Sequence, residues 1–261
     1  MRQAILEVNN VTAGYGDTEV LHDVSLTVYP AEVIGIVGQS GSGKTSLLNC
    51  VLQLEPNLEI TSGEILYSNQ NLLTLNKKEY RRLFQEEIAT IFQNSNFTLV
   101  PTRKISSQFY ETTKGRLTQE ETRQKAYLLF EQFKLKNPER IFHSYPFELS
   151  IGMAQRVAVS LALMNDPSLL LCDEPTSALD VKSAYEMVRQ LKKLKEEKGM
   201  TMAVITHNIA LAAQLCDRIA VMHQGRIVEV QDTKTLIESP MHAYTKQLLA
   251  ALPKTEGLWN D

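Results

Sequence analysis

The sequence has few cysteines, no long apolar run and no leader-like start, and each absence excludes a class of protein. Its three cysteines, Cys50, Cys172 and Cys216, lie far apart and form no CxxC pair. This usage predicts small buried side chains in a reducing cytosol. No apolar run approaches membrane-spanning length, and the first residues carry no signal-peptide core. We therefore expect a chain that neither crosses a membrane nor is exported by itself.

The chain also lacks an excess of basic charge. Against 27 lysines and arginines stand 30 aspartates and glutamates, which gives a net charge of −3. A nucleic-acid-binding protein usually carries a basic excess, so this balance argues against one. The length of 261 residues and the hydrophobic fraction of 43% are enough for one large domain, or for a domain with a lobe. The sequence shows no internal repeat and no low-complexity linker.

What the sequence does contain is a glycine-rich octapeptide in a strand–loop–helix context. An apolar, strand-like stretch, Val33–Val37, precedes it, and Ser46–Leu52 follows with apolar residues at helical spacing. The pattern of two glycines around four residues, then Lys-Thr, is that of a phosphate-binding P-loop. The alternative is a glycine-rich turn with a surface lysine. The octapeptide is Gly38-Gln39-Ser40-Gly41-Ser42-Gly43-Lys44-Thr45.

The chemistry of this loop follows from its residue types. Glycines allow successive backbone N–H groups to converge on phosphate oxygens, and a helix N-terminus adds partial positive charge. Lys44 is predicted to reach the β and γ phosphates, and the Thr45 hydroxyl to bind Mg²⁺. The loop therefore predicts a nucleoside triphosphate and a magnesium ion.

The pattern elsewhere predicts an α/β fold. Residues Ile5–Val8 and Val24–Val28 look like strands, and Ser62-Gly63 indicates a turn before a strand at Glu64–Tyr67. From about residue 94 to 150 the chain is mostly helical, with a capping-box helix that opens at Thr118. Buried strands that alternate with helices indicate a parallel sheet, with the helical stretch as an inserted lobe. The later predictions are a strand at Leu169–Cys172, a helix at Val181–Lys198 ended by Gly199, a strand at Met202–Ile205, and a hairpin of Ile219–Met222 with Arg226–Val230.

A pair of carboxylates completes the predicted site. Asp173 and Glu174 follow the apolar Leu169–Cys172 strand, at the edge where α/β sheets bind ligands. Asp173 is the expected Mg²⁺ partner, through water, and Glu174 the group that polarises an attacking water. The alternative for an isolated Asp-Glu is a surface acidic pair.

Together these residues resemble the nucleotide-binding subunits of ATP-binding cassette (ABC) transporters over nearly the whole chain. Walker A alone indicates only a P-loop NTPase, whereas the ordered set of motifs is specific. The matching segments are Walker A at Gly38–Thr45, Walker B at Leu169–Glu174, the D-loop at Ser177–Asp180, the Q-loop glutamine Gln93, the switch histidine His207 and the A-loop aromatic Tyr15.

The resemblance implies a P-loop, RecA-like parallel-sheet core with an N-terminal antiparallel β subdomain. It also implies one nucleotide-binding domain over 1–261, an inserted helical subdomain at 94–160 and a tail at 232–261. ATP would contact residues 38–46, the loop together with Ser46. Catalytic roles would fall to Glu174, His207, Gln93 and Lys44, and Mg²⁺ binding to Thr45, Gln93 and Asp173.

Three of these residues have other readings when taken alone. Tyr15 would stack on adenine by resemblance, but a packed turn aromatic is the commoner case. His207 would contact the γ-phosphate, and the alternative is a satisfied core histidine. Gln93 would sense Mg²⁺ or the attacking water, but is also an ordinary polar residue at a strand end.

The signature segment departs from the family pattern of Leu-Ser-Gly-Gly-Gln. Here it is Leu149–Met153, with Ile151 in place of the first glycine. By resemblance Ser150, Gly152 and Met153 act on ATP held by the partner subunit, and Asp180 belongs to the D-loop. Ser150 is a predicted N-cap for the following helix. A β-branched residue disfavours positive φ and adds bulk, so we expect this half-site to be the weaker one of an asymmetric heterodimer.

The tail Ser239–Pro253, Ser144–Glu148 before the signature and, loosely, Asn94–Pro101 resemble importers of oligopeptides, dipeptides and nickel. The chain ends without the cysteine-bearing extension of many peptide importers, which leaves nickel chelates open as cargo. Expected partners are a second cassette, two membrane permeases and, indirectly, an extracytoplasmic binding protein, with no nucleic acid. The expected location is the cytoplasmic face of the membrane, peripherally. Alternatives are a soluble ATPase acting on nucleic acid or ribosomes, a P-loop kinase and an exporter cassette.

Overall fold

The computed structural model describes residues 2–93 and 98–251, and the chain divides into two compact units. The first contains the described residues up to Lys77 and from Lys195 onward, and the second Lys78–Leu194. The predicted boundaries at 94–160 and 232–261 stay predictions. Residues 94–97 of the segment after Gln93, and residues 252–261 of the tail, lie outside the described residues.

After an all-β start, the described elements mix strands and helices, with four consecutive helices between Ile105 and Ala162. Short 3₁₀ turns occur at Leu72–Thr74 and Pro146–Glu148. In chain order the elements are β1 (Leu6–Tyr15), β2 (Thr18–Val28), β3 (Val33–Val37), α1 (Lys44–Leu52), β4 (Leu58–Tyr67), β5 (Gln70–Asn71), α2 (Lys77–Glu86), β6 (Ile88–Ile91), α3 (Ile105–Thr112), α4 (Gln119–Gln132), α5 (Pro138–His143), α6 (Ile151–Ala162), β7 (Leu169–Asp173), α7 (Val181–Lys198), β8 (Thr201–Thr206), α8 (Ile209–Leu215), β9 (Arg218–His223), β10 (Arg226–Asp232), α9 (Thr233–Glu238) and α10 (Ala243–Ala250).

The N-terminal sheet is antiparallel, with the order β2-β1-β4-β5. Its strands are longer than the sequence predicts. Register shifts along β1 interrupt the alternation of buried and exposed residues, so the sequence pattern reveals only part of the strand. The turn predicted at Ser62-Gly63 is wrong, since both residues lie inside β4. Gly63 has a φ of +88°, and a Cβ there would lie 2.5 Å from the Asn10 carbonyl oxygen. It is a bulge glycine where two backbones approach closely.

The first unit also contains the central parallel strands. Strand β3 pairs in parallel with β8 on one side and β9 on the other, while β10 returns antiparallel to β9. Every residue of β3 and β8 is buried, which explains their continuous apolar sequence. The last residue of β3, Val37, is in register with Thr206 of β8 and Val221 of β9. Whatever follows Val37 and Thr206 therefore starts at the same edge of the sheet.

The second unit combines a parallel strand pair with helices. Strands β6 and β7 pair in parallel, with Ile91 opposite Cys172. In α3–α5, Phe109 packs edge-on against Phe130 and Phe142, at ring-centroid distances of 5.4 and 5.8 Å. The capping box predicted at Thr118 is confirmed at the start of α4. The predicted fold class, α/β with an N-terminal antiparallel sheet and a parallel core, is likewise confirmed.

Two expectations from composition bear on the described residues. None of the helices among residues 2–93 and 98–251 has both the length and the apolar character that a membrane crossing requires. The three cysteines are all buried, as predicted. Burial raises the pKa of the Cys50 thiol to about 12, so it stays protonated at neutral pH.

Candidate functional site

The glycine loop follows β3 directly and is shaped by close backbone approach. A Cβ on Gly38 would lie 2.2 Å from the Met222 carbonyl oxygen and 2.7 Å from the Ser42 Oγ, so only glycine fits there. Gly41 and Gly43 have φ angles of +80° and +103°, which L side chains rarely adopt. Gly43 is also the N-cap of α1, so the loop opens into a helix N-terminus as predicted.

Lys44 is the buried cation of this loop, with 7% of its surface exposed. Its Nζ donates to the carbonyl oxygens of Gly38 at 2.9 Å and Gln39 at 2.8 Å, and to the Ser42 Oγ at 3.3 Å. The alternative of a surface lysine is therefore wrong. A positive charge held across a loop at a helix N-terminus is an arrangement that binds anions. Thr45 is exposed beside it and Ser46 is half-buried.

Two contacts from the C-terminal part of the chain support the loop, and neither was predicted. The Gly225 N–H, in the turn between β9 and β10, donates to the Ser42 carbonyl oxygen at 3.0 Å. The Gln39 N–H donates to the hydroxyl of Tyr244 at 3.1 Å. The sequence predicted a hairpin of Ile219–Met222 with Arg226–Val230 and placed Tyr244 in the tail Ser239–Pro253, but neither signal points to the loop.

Tyr15 and His207 belong to the same unit as the loop. Tyr15 ends β1, and 39% of its surface is exposed, so its ring is not a packed turn aromatic. The next strand, β2, runs beside the loop. A Cβ on Gly43 would lie only 3.3 Å from the Val20 carbonyl oxygen. His207 is exposed and follows Thr206, at the edge where Gly38 follows Val37. The alternative of a core histidine is therefore wrong.

The second unit gathers Gln93, Asp173 and Glu174 at one sheet edge. Gln93 lies two residues past β6, and Asp173 and Glu174 come at and just after the end of β7. Asp173 is 8% exposed, which excludes the reading of a surface acidic pair. Burial, and then the Asp173 charge, raise the pKa of the neighbouring Cys172 thiol above its ordinary value. A charged carboxylate beside a fully buried thiol marks an environment where water screens poorly.

The chain turns sharply at Glu174, directly after the end of β7. Glu174 has a φ of +47°, in the left-handed region, and its side chain is half-buried. Its carbonyl oxygen accepts hydrogen bonds from the N–H and the hydroxyl of Ser177, both at 3.1 Å. A non-glycine residue held in this region is strained, and such strain is concentrated at functional sites.

Gln155 of α6 connects the segments that carry Gln93 and Glu174, and nothing in the sequence beyond its place after the signature points to this role. It is 1% exposed. Its Nε2 lies 3.5 Å from the carbonyl oxygen of Phe92 and 3.5 Å from that of Pro175. The side chain therefore bridges the residue before Gln93 and the residue after Glu174.

The signature segment begins α6. The Ser150 Oγ accepts from the Met153 N–H at 3.3 Å, which confirms the predicted N-cap. Ile151 is the first helical residue, so the expectation that this position calls for positive φ is wrong. The Ile151 side chain can still hinder a partner by its bulk, since 65% of its surface is exposed. At Gly152 a Cβ would meet only ordinary contacts, 3.7 Å from a Leu179 methyl group.

Asp180 caps the helix that follows the D-loop. Its Oδ2 accepts from the Ser183 hydroxyl at 2.7 Å, and its Oδ1 from the Ser183 N–H at 3.0 Å. These two bonds, the hydroxyl first, hold the pKa of Asp180 below its ordinary value. The N-cap role at α7 was not predicted, although Asp before a helix is its usual signal.

The structure thus places the predicted residues in two groups. The first unit holds the loop with Lys44, Thr45 and Ser46, together with Tyr15 and His207. The second holds Gln93, Asp173 and Glu174 on one sheet edge, and the signature and D-loop residues Ser150, Gly152, Met153 and Asp180 at the starts of α6 and α7.

Comparison with known proteins gives one consistent result. The family profile described as ABC transporter matches residues 21–177. The dipeptide transport ATP-binding protein DppD of Caldanaerobacter subterraneus subsp. tengcongensis is 37% identical over 256 residues, which cover 95% of this chain and 78% of that protein. The oligopeptide transport ATP-binding protein OppD of Bacillus subtilis is 33% identical, over 97% of this chain and 73% of its own length.

A solved structure gives the same result for the fold. It is the dimeric, post-hydrolysis state of the ATP-binding cassette MJ0796, bound to ADP and Pi. It matches with a TM-score of 0.77 and 31% identity, over 87% of this chain and 98% of that one.

Proposed function

This chain belongs to the ABC transporter family, and on that premise we propose that it powers peptide import by binding and hydrolysing ATP. Its activity is that of an ATPase, and its ligands are ATP and Mg²⁺. The observation that supports ATP binding is the loop at residues 38–45, with a buried Lys44 held across it. The cargo is inferred from the relatives, which are named for dipeptide and oligopeptide transport.

In this proposal the loop binds the phosphates of ATP. The lysine now donates to two loop carbonyls, and it would turn those hydrogen bonds toward the β and γ phosphates. Backbone N–H groups of the loop and of the start of α1 supply the remaining donors. Tyr15, exposed at the end of β1, stacks on the adenine.

The residues also suit a magnesium ion, because hydroxyl, amide and carboxylate oxygens are the ligands that this cation prefers. Thr45, Gln93 and Asp173 would hold it. When bound, it neutralises charge on the β and γ phosphates. Glu174 orients the attacking water and accepts its proton, and His207 donates a hydrogen bond to the γ-phosphate.

The signature and D-loop residues act, in this proposal, on ATP bound by a second cassette. Ser150 begins α6, whose N-terminus offers N–H groups to that γ-phosphate, with Gly152 and Met153 beside it. Asp180 fixes the start of α7, next to the N-terminus of α6. Contacts that ATP makes only in the closed pair of cassettes would shift the population toward closure, and hydrolysis would release it.

Ile151 makes the two sites of such a pair unequal. Its exposed β-branched side chain stands where the family pattern has glycine, at the first residue of α6. We expect Ile151→Gly to raise ATP turnover in the assembled complex about threefold, which corresponds to about 0.6 kcal/mol of transition-state stabilisation. Steady-state hydrolysis is the measurement, and Leu128→Ala, at an exposed apolar position of α4, is the control. An unchanged rate for Ile151→Gly would contradict the weaker-site hypothesis.

The further partners are part of the same proposal. A second, different cassette and two membrane permeases would form the transporter, and an extracytoplasmic binding protein would deliver the peptide. The chain would then sit peripherally on the cytoplasmic face of the membrane. Support comes from the relatives, which are named as transport ATP-binding proteins, and from the dimeric form of the matching solved structure.

The test is purification of this chain from the membranes of cells that express it, followed by reconstitution with the proteins that co-purify. We expect the chain to co-purify with two permeases and a second cassette. In vesicles, a peptide-loaded binding protein should then stimulate ATP hydrolysis several-fold, and Glu174→Gln in this chain should reduce that stimulation. Stimulation by a nickel chelate and not by peptide would overturn the cargo, and transport in the opposite direction would overturn import.

A further inference from the structure

Tyr244 lies in the tail, outside the residues 21–177 that match the family profile, yet its hydroxyl contacts the phosphate-binding loop. We propose that Tyr244 is a positioning residue for ATP binding, which holds the Gly38–Gln39 peptide group and through it Lys44. This inference rests on the proposed function only in requiring that the loop binds ATP. It assigns a role in the nucleotide site to a tail motif that otherwise indicated only the transporter branch.

The first step is that the Gly38–Gln39 peptide group is held on both sides. Its N–H, that of Gln39, donates to the Tyr244 hydroxyl at 3.1 Å, and its carbonyl oxygen, that of Gly38, accepts from the Lys44 Nζ at 2.9 Å. The tyrosine and the phosphate-binding lysine therefore share one peptide group as a common anchor. If the hydroxyl is lost, that peptide loses one of these two restraints, and the lysine loses a fixed reference.

The second step is that Tyr244 is itself rigid. Only 7% of its surface is exposed, and its ring stacks on His223 with centroids 3.8 Å apart and planes 24° apart. Its N–H donates to the Nδ1 of His242, the N-cap of α10, at 3.2 Å. A hydroxyl held by a stacked ring at a capped helix start can fix a loop, whereas a freely rotating one cannot.

The third step is that the tail is fastened to the hairpin that also supports the loop. The Glu229 carboxylate, on β10, accepts from the N–H groups of Met241 and His242 at 2.8 and 3.0 Å. Burial raises the pKa of Glu229, but these and further hydrogen bonds outweigh it and keep that pKa below its ordinary value. The same hairpin donates from Gly225 to the loop carbonyl of Ser42. The loop is thus held at two points by one C-terminal support.

The test is Tyr244→Phe in the full chain, with Tyr29→Phe as the matched control. Phenylalanine keeps the stack on His223 and removes only the hydroxyl. Tyr29 lies in the same unit under the Arg218 guanidinium, 5.7 Å from its ring centroid, and that contact survives the control substitution. We expect Tyr244→Phe to weaken ATP binding about three- to tenfold, the effect of one lost hydrogen bond. In hydrolysis assays KM should rise more than kcat falls, and Tyr29→Phe should match the wild type.

A second arm keeps the hydroxyl and loosens the tail that carries it. Glu229→Gln leaves one carbonyl oxygen where the carboxylate accepts from the N–H groups of Met241 and His242, so it should also weaken ATP binding, and Tyr244→Phe added to it should cause a smaller further loss than in the wild type. If Glu229→Gln is not obtained folded, the comparison of Tyr244→Phe with Tyr29→Phe decides alone. Titrations with ATP and Mg²⁺ are made well below the melting temperature of each variant, so that a loss of stability does not enter the affinity.

The outcomes separate this inference from the proposed function. Equal ATP affinity for Tyr244→Phe and Tyr29→Phe would overturn the positioning role, and so would a lower melting temperature with unchanged affinity. A wild-type chain that fails to bind ATP would instead overturn the proposed function. Full additivity of Tyr244→Phe and Glu229→Gln would show that the hydroxyl and the tail act separately, which also contradicts the inference.

Discussion

Replacing Glu174 with glutamine is expected to stop ATP hydrolysis while ATP binding persists. The amide keeps the size and hydrogen-bonding shape of the carboxylate but cannot accept a proton from water. General base catalysis contributes roughly 10²–10⁴-fold to a rate, so we expect turnover to fall by about that factor. Glutamine and glutamate tolerate the φ of +47° about equally, because both carry a Cβ, so the turn should be unchanged.

The measurement is phosphate release at saturating ATP, together with ATP affinity by titration. Glu131→Gln, at an exposed position of α4 in the same unit, is the matched control and should behave like the wild type. Undiminished turnover in Glu174→Gln would rule out the base role. Loss of ATP binding in that variant would point to a ligand role for Glu174 instead.

Removing the Lys44 side chain is expected to abolish effective ATP binding. Lys44→Ala deletes the buried positive charge and removes the Nζ donor from the carbonyl oxygens of Gly38 and Gln39, although the Gln39 oxygen keeps the Ser42 N–H at 3.2 Å. A hydrogen bond to a charged group is worth about 1.5–3 kcal/mol. The loss of a single such contact to the phosphates corresponds to roughly 10–150-fold in affinity, and two contacts multiply that factor.

Titration with ATP and Mg²⁺ gives the affinity directly. The control is Lys246→Ala, which removes an exposed lysine of α10 in the same unit and should leave ATP affinity unchanged. Wild-type affinity in Lys44→Ala would mean that the loop binds no phosphate through its lysine. Chemical denaturation of both variants checks that the fold survives, since the lost hydrogen bonds from Lys44 cost some stability.

Features with a local physical cause were predictable from the sequence. The helix Val181–Lys198 was predicted with the bounds it has, because Gly199 after it takes a φ of +60° that favours glycine. The capping box at Thr118 is a contact between residues three apart, so a short window of sequence contains it. The loop at 38–45 was predictable for the same reason.

Features that depend on distant residues were not predictable. The contact between Gln39 and Tyr244 joins residues 205 apart in the chain. The hydrogen bond from Gly225 to Ser42 is likewise a long-range contact. The turn expected at Ser62-Gly63 failed because glycine serves turns and bulges alike, and only the backbone of Asn10 on the neighbouring strand decides between them. At Ile151 the expected strain failed because the helix begins at that residue.

The left-handed turn at Glu174 makes this position one where stability and activity oppose each other. Holding a side chain with a Cβ in that region costs about 1–2 kcal/mol, which glycine would not incur. A variant chosen only for resistance to unfolding would therefore tend to lose the carboxylate on which hydrolysis is proposed to depend. Selection of thermostable forms of this ATPase should keep position 174 fixed, because a substitution that raises stability there would lower the rate of ATP hydrolysis.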